Sequence, residues 1–313
     1  MGAPTAGNTV AVIVTYQPAA DVVGHAVALV GQVACIVVVD NGSASESLPI
    51  LDSLAALPSV TVIRNPVNEG IAHALNQGAE AATDAGADWL LTLDQDAAPG
   101  PDIVGISRRA CEAYPRLGRL AVIGAASRED LARSRRASNQ GRPWIETSAV
   151  ITAGSLVSLA VVRAIGGFRE DLFIDYVDIE FCLRARANGF RVLASLAPTI
   201  THSIGQPTVR AIGPRSVTPT NHPAFRRYYI TRNRLLVWRR YYRTDSRYVA
   251  RDILASQKEL LKLVLFEQDR ASKVRAMLAG IRDGVRGSTG VGWADPGMPD
   301  ASKSGPTGPR LSR

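Results

Sequence analysis

Cysteine is scarce: three residues in 313, at positions 35, 111 and 182, with no short spacing between them. That argues against a disulfide framework or a thiolate zinc site, and a reducing cytoplasm fits the chain. No uncharged apolar run is long enough to cross a bilayer, and the opening MGAPTAGNTV lacks the basic and apolar segments of a signal peptide. We expect neither a spanning helix nor a leader. No GxGxxG follows the first apolar run, and no glycine-rich basic loop stands beside it. These two absences argue against dinucleotide-dependent oxidoreduction and against nucleotidyl transfer. Internal repeats are lacking too.

Basic charge, in excess overall at +8, is short in the first two thirds. Residues 1–224 hold 17 Lys and Arg against 20 Asp and Glu, a net −3, whereas residues 225–313 hold 19 against 8, a net +11. The two parts of the chain therefore face different partners. Hydrophobic residues make up 46%, enough for a substantial core in a folded protein of this length.

Short apolar runs alternate with amphipathic stretches in the first half. Thr9–Tyr16, Ala34–Asp40, Val60–Asn65 and Trp89–Asp94 are rich in β-branched residues and end in polar ones, as strands buried on both faces do. Helices are expected near 20–31, 45–56 and 70–85. This alternation predicts an α/β, doubly wound, mostly parallel sheet, in which ligands bind beyond the carboxyl ends of the strands. Thr15, Asp40, Asn41, Asn65, Asp94 and Asp96 stand at those ends. Further along, Leu120–Ala125 reads as a strand and Ser127–Arg142 as a basic, polar loop. Ser148–Ser158 reads as strand and turn, 161–165 as a short helix closed by Gly166-Gly167, and 191–200 as a strand leading to His202. A helix over 178–188 is capped by Asp175 or Asp178 and stopped at Gly189. We divide the chain into a nucleotide-binding catalytic domain (1–222), a helical basic and aromatic extension (223–286) and a disordered tail (287–313).

Four features carry chemistry. Asp94-Gln95-Asp96 closes an apolar strand with two carboxylates that alternation turns to one side. Such a pair repels itself unless a cation bridges it, and hard oxygen ligands suit Mg²⁺ or Mn²⁺. With Pro99-Gly100-Pro101 following, a helix cap is the competing reading. Asp40-Asn41-Gly42-Ser43 is placed to meet a ribose or base, or is an Asx turn. Leu172–Arg186 interleaves Asp175, Asp178 and Glu180 with large apolar residues. Semi-buried carboxylates of this kind are candidate general bases, or else complement a helix dipole. His202, at a strand end, is a structural imidazole or a third metal ligand.

Their order and surroundings resemble the inverting, GT-A-type family 2 glycosyltransferases, and more narrowly the bacterial rhamnosyltransferase branch. The resemblance rests on 14–16 (VTY), 39–43 (VDNGS), 65–78 (NPVNEGIAHALNQG), 91–96 (LTLDQD), 153–158 (AGSLVS), 175–184 (DYVDIEFCLR), 202–205 (HSIG) and 226–233 (RRYYITRN). It spans about residues 9–240. It implies a GT-A fold and transfer of a sugar, L-rhamnose from dTDP-L-rhamnose, to a hydroxyl of a cell-wall, capsule or lipid-linked glycan. Other nucleotide-sugars are the alternative donors. The resemblance further implies that Asp40 contacts the donor's base or ribose beside Thr15, with Asn41, Asn65 and Asn76 on the donor side. Asp96 and His202 would ligate Mg²⁺ or Mn²⁺, Asp94 would serve the ion or the ribose, and Arg232 and Asn233 would approach the diphosphate or the acceptor. Asp178 matches the family's base. Val177 stands where many relatives carry Glu, which leaves Asp175 as a rival, and Ala97 replaces a frequent Ser. The implied location is the cytoplasm or the inner face of the cell membrane.

Phe225–Tyr242 mixes Arg with Tyr and Trp. A helix packed on the catalytic domain, a membrane-surface contact and a nucleic-acid site are its three readings, and a mildly acidic remainder disfavours nucleic acid. An apolar stripe through Val249, Ile253, Leu260 and Val264 serves attachment or a homodimer equally.

Overall fold

The computed structural model describes residues 2–125, 141–197, 200–202, 210–212, 215–217 and 221–293. Strands β1 (Thr9–Thr15), β2 (Cys35–Asp40), β3 (Val60–Arg64) and β4 (Trp89–Asp94) are separated by helices α1 (Asp21–Leu29), α2 (Leu48–Ala55) and α3 (Ile71–Asp84). After β5 (Ala97–Pro99) come α4 (Ile103–Glu112), β6 (Leu120–Ala125), β7 (Trp144–Glu146), β8 (Ser155–Ser158) and α5 (Leu159–Ile165). Helix α6 (Val177–Ala187), β9 (Arg191–Ser195) and β10 (Ile200–His202) follow, then β11 (Arg210–Ile212) and β12 (Arg215–Val217). The chain continues through α7 (Ala224–Tyr241), α8 (Ser246–Phe266) and α9 (Arg270–Arg286).

The main sheet runs β3-β2-β1-β4-β8-β6-β9-β7. Strands β3, β2, β1 and β4 are parallel, β8 is antiparallel to both its neighbours, and β7 is an antiparallel edge. Alternation divides the strand side chains between two cores. Val10, Val12, Val37 and Val39 pack with α3, α5 and α6, while Ala11, Ile13, Ile36 and Val38 pack with α1, α2 and α4. Each such valine or isoleucine side chain contributes about 1.5–3 kcal/mol on burial. Covering both faces is what the near-continuous apolar strands require. Gly78 lets α3 approach β1, because a Cβ there would stand 2.5 Å from Val12 Cγ1.

The expected elements form, with small differences at their ends. The strand expected over 191–200 divides into β9 and β10, and β10 pairs with β5 instead of continuing in the main sheet. Helix α6 begins after Tyr176, whose backbone is left-handed, and neither Asp175 nor Asp178 caps it as expected. The basic loop expected over 127–142 lies outside the described residues except for 141 and 142. Among the described residues, no helix is long and apolar enough to cross a membrane.

Helix α7 lies in the interior. Arg227, Tyr228, Tyr229, Arg232, Asn233, Arg234 and Tyr241 are all buried. The packed-helix reading of Phe225–Tyr242 is the one the fold realises, with Arg227, Arg232 and Arg234 turned inward and Arg239 and Arg240 exposed. Residues 287–293, part of the expected disordered tail, pack against α7. Trp293 lies 5.6 Å from Tyr228 between ring centroids, and Gly290 N–H donates to Asp171 O at 2.6 Å.

Candidate active site

Register assembles the site. Thr15 pairs with Asp40 and Val14 with Asp94 across β2-β1-β4, so the carboxylates expected at the strand ends share one edge. Asp40 is buried and accepts from Thr15 Oγ1 at 3.0 Å and from Ser43 N–H at 3.0 Å. The Asx turn thus forms, and it aims the loop 41–43 at the next one. Asn41 Oδ1 accepts from Glu69 N–H at 3.1 Å, its Nδ2 donates to Asn68 Oδ1 at 2.9 Å, and Asn65 exchanges bonds with Gln77. Gly42, at φ +81°, has Val67 backbone 2.5 Å from where a Cβ would stand. Only glycine allows the loops after β2 and β3 to touch in this way.

Asp94 ends β4, and Asp96 follows in the turn before β5; the next helix, α4, starts only at Ile103. The helix-cap reading of the triplet therefore fails. Gln95, between the two acids, anchors the turn by accepting from Tyr16 N–H at 2.8 Å, and its carbonyl lies 2.9 Å from His25 Nδ1. Asp96 is exposed, whereas Asp94 Oδ1 is buried with no hydrogen-bond partner. Burial first, then the charges of Asp178 and Asp96, push the Asp94 carboxyl up to about 7. Backbone pairing sets His202 opposite Ala97, one residue past Asp96. Its side chain lies outside the described residues.

The three acids of the 172–186 segment are sorted by their partners. Asp175 is held by Arg226 through Nη2 at 2.5 Å and Nε at 3.3 Å. Glu180 is buried, pairs with Arg184 at 3.1 Å and accepts from Tyr241 Oη at 2.7 Å. Asp178 has no cationic partner among the described residues. Its carboxylate accepts only backbone N–H, from Ile179 at 2.7 Å and Thr152 at 3.1 Å. Desolvation pushes its carboxyl above the usual range, opposed by those two bonds. Of the three, Asp178 has the carboxylate best able to take a proton.

Residues 11–139 match the profile described as Glycosyl transferase family 2. The dTDP-rhamnosyl transferase RfbF of Shigella flexneri is 29% identical over 308 residues, which cover 91% of this chain and 98% of that one. The chain is a glycosyltransferase whose match to family 2 spans residues 11–139. Its fold is the GT-A arrangement with a C-terminal helical region. The mannosyltransferase PcManGT of Pyrobaculum calidifontis, solved with GDP-Man and Mn²⁺, superposes with a TM-score of 0.55. That pair shares 14% identity, over 91% of this chain and 78% of that one.

Two expected donor contacts of this glycosyltransferase lie elsewhere. Asn76 faces away from the strand edge, donating to Phe168 O at 3.0 Å and Glu170 Oε1 at 2.7 Å and accepting from Phe168 N–H. Arg232 is fully buried. It donates to Leu172 O at 3.0 Å and Asn233 Oδ1 at 2.9 Å, and its guanidinium lies 4.8 Å from the Tyr229 ring centroid. Asn233 Nδ2 in turn donates to the carbonyls of Leu172, Ile174 and Asp175 at 2.8–2.9 Å. The pair clamps a segment in which Phe173, Asp175 and Tyr176 all have φ between +63° and +66°. Non-glycine residues held there are strained, and such strain gathers at functional sites.

Sequence reasoning overlooked Arg226. It approaches the acids closely enough that Asp175, Asp94 and Asp96 all raise its affinity for its proton. The signal was present, since Arg226 and Arg232 lie on one helix, but only packing tells which of them faces the strand edge.

Proposed function

We propose that this glycosyltransferase moves L-rhamnose from dTDP-L-rhamnose to a hydroxyl of a glycan, with inversion at the anomeric carbon. The observation that carries the reaction is the sorting of acids: of Asp175, Asp178 and Glu180, Asp178 has no cationic partner among the described residues, and its charge acts on Asp94. The donor follows from the rhamnosyl transferase relative, whose likeness runs nearly end to end.

Asp40 and Thr15 would receive the base or ribose beside Asn41 and Asn65, at the edge where α/β sheets bind nucleotides. Asp94 and Asp96 would hold a divalent cation; the orphaned Asp94 oxygen and the hard oxygen donors fit Mg²⁺ or Mn²⁺. His202, whose backbone lies one residue from the triplet, would be a further ligand. Bound there, the ion would offset charge growing on the leaving diphosphate. Arg226 adds fixed positive charge on the same side. Asp178 removes the acceptor's proton as its oxygen attacks. Retention would call for a separate nucleophile, and Asp175 and Glu180 are engaged by arginines. The reading places the reaction in the cytoplasm, with a cell-wall, capsule or lipid-linked glycan as acceptor.

Thermal melting tests the donor class. dTDP with Mn²⁺ or Mg²⁺ should stabilise the protein by about 2–3 kcal/mol near 100 times its Kd, with much less from dTDP alone or from GDP with metal. Equal stabilisation by GDP would sink the dTDP assignment.

A further inference from the structure

Helix α8 has two faces of opposite chemistry. Its inner face packs Val249 into a cluster with Tyr176, Leu183, Val237 and Tyr241. Its acids also turn inward. Asp252 accepts from Tyr176 Oη at 2.9 Å and Trp238 Nε1 at 2.8 Å, and Glu259 pairs with Arg234 at 3.0 Å. Glu267, just past the helix end, is buried between Arg227 and Lys273.

The outer face carries Ile253, Leu254, Leu260, Leu261, Val264 and Leu265, of which Leu254 is 64% and Leu261 59% exposed. At 100° per residue these six fall on one stripe, and Arg247, Arg251, Lys258 and Lys262 line one border of it. Arg247, Lys258 and Lys262 make no ion pair among the described residues. The stripe runs most of a 21-residue helix, about 30 Å long. Large exposed apolar side chains gathered on one face mark an interaction surface.

We propose that this face of α8 rests on an anionic phospholipid bilayer, with the leucines at acyl depth and the basic row among the headgroups. Charge decides the occupant. With Asp252 turned inward and Glu259 tied to Arg234, the exposed side of the helix is mainly apolar and basic, with Gln257 its exposed neutral polar group, which complements anionic lipid. A second copy seated antiparallel on the same face would bring basic rows together, at an electrostatic cost. The inner face holds Tyr176, two residues from Asp178, so one helix diameter, about 10–12 Å, separates that loop from the bilayer. An acceptor carried by a lipid would arrive beside the base.

Vesicle co-sedimentation of the full chain, with no nucleotide present, tests this independently of the donor. Wild type should pellet with vesicles of equal parts phosphatidylglycerol and phosphatidylcholine, pellet little with pure phosphatidylcholine, and release as salt rises. The triple variant Leu254→Gln, Leu261→Gln, Leu265→Gln should bind about tenfold more weakly or less while melting as wild type does. Should the glutamines disturb folding, Lys258→Glu with Lys262→Glu gives the same readout from fully solvated positions. Undiminished binding by a folded variant would overturn the proposal. So would a wild type that ignores anionic vesicles and sediments as a dimer the variant dissociates.

Discussion

Asp94 holds a buried carboxyl oxygen that nothing in the described protein satisfies, beside two further acids. Its folded affinity for a proton, near 7, exceeds the ordinary 3.8, so the native state binds the proton more tightly than the unfolded chain. The metal-free protein therefore gains nothing from ionising Asp94 and loses stability as pH rises through that interval. Asp94→Asn should raise the melting temperature of the metal-free protein more at about pH 8 than at about pH 5, with an upper limit of about 3 kcal/mol. A gain of the same size at both pH values would count against this account. Asp178→Asn should cut turnover by roughly 10²–10⁴ while calorimetry shows dTDP binding nearly unchanged. Arg226→Ala is expected to weaken donor binding and leave Asp175 buried without its cation. Arg226→Lys, which keeps the charge but not the fork, should recover only part. Asp94 was legible in the sequence because strand ends announce themselves by a switch from apolar to polar residues, and Asp175 and Asp178 because they interrupt a run of large apolar ones. The ranking of Asp175 above or below Asp178 was not, since it turns on which of the two Arg226 reaches, and that is settled across more than fifty positions of chain.

At the level of elements, the segment 172–176 and helix α7 form one device. Three left-handed residues in four would relax if free, at about 1–3 kcal/mol each. Asn233 and Arg232 hold them by their carbonyls. Asn233→Ala removes three of those bonds, and we expect a stability loss of about 1–3 kcal/mol in urea unfolding. The same variant should lose kcat more than donor affinity, because the clamp positions Asp178 while Asp40 and Asp94 stand on strands. Strands and helices of the first half were readable from periodicity, since packing on both faces of a parallel sheet leaves long apolar runs. The left-handed turn was not, because none of its residues is a glycine.

For the whole molecule, the C-terminal helices are part of the catalytic body. Glu267, just past α8, forms buried ion pairs with Arg227 of α7 and Lys273 of α9, and Tyr228 Oη donates to Asp283 of α9 at 2.8 Å. A chain ending at residue 222 should not fold cooperatively, because it would leave the 172–176 carbonyls unbonded and the Tyr176 cluster open. Full-length protein should unfold in one calorimetric transition. A soluble, cooperatively melting 1–222 fragment would contradict this. The division at 222 marks a change of composition, and composition does not reveal that the basic helix faces inward. The clamp also has a consequence for descent. While positions 173, 175 and 176 keep side chains, loss of the asparagine at 233 leaves the turn unsupported; a lineage can shed that asparagine only after acquiring glycine in the turn. Aligned relatives should therefore show the two regions changing together, with either asparagine in the helix or glycine in the loop.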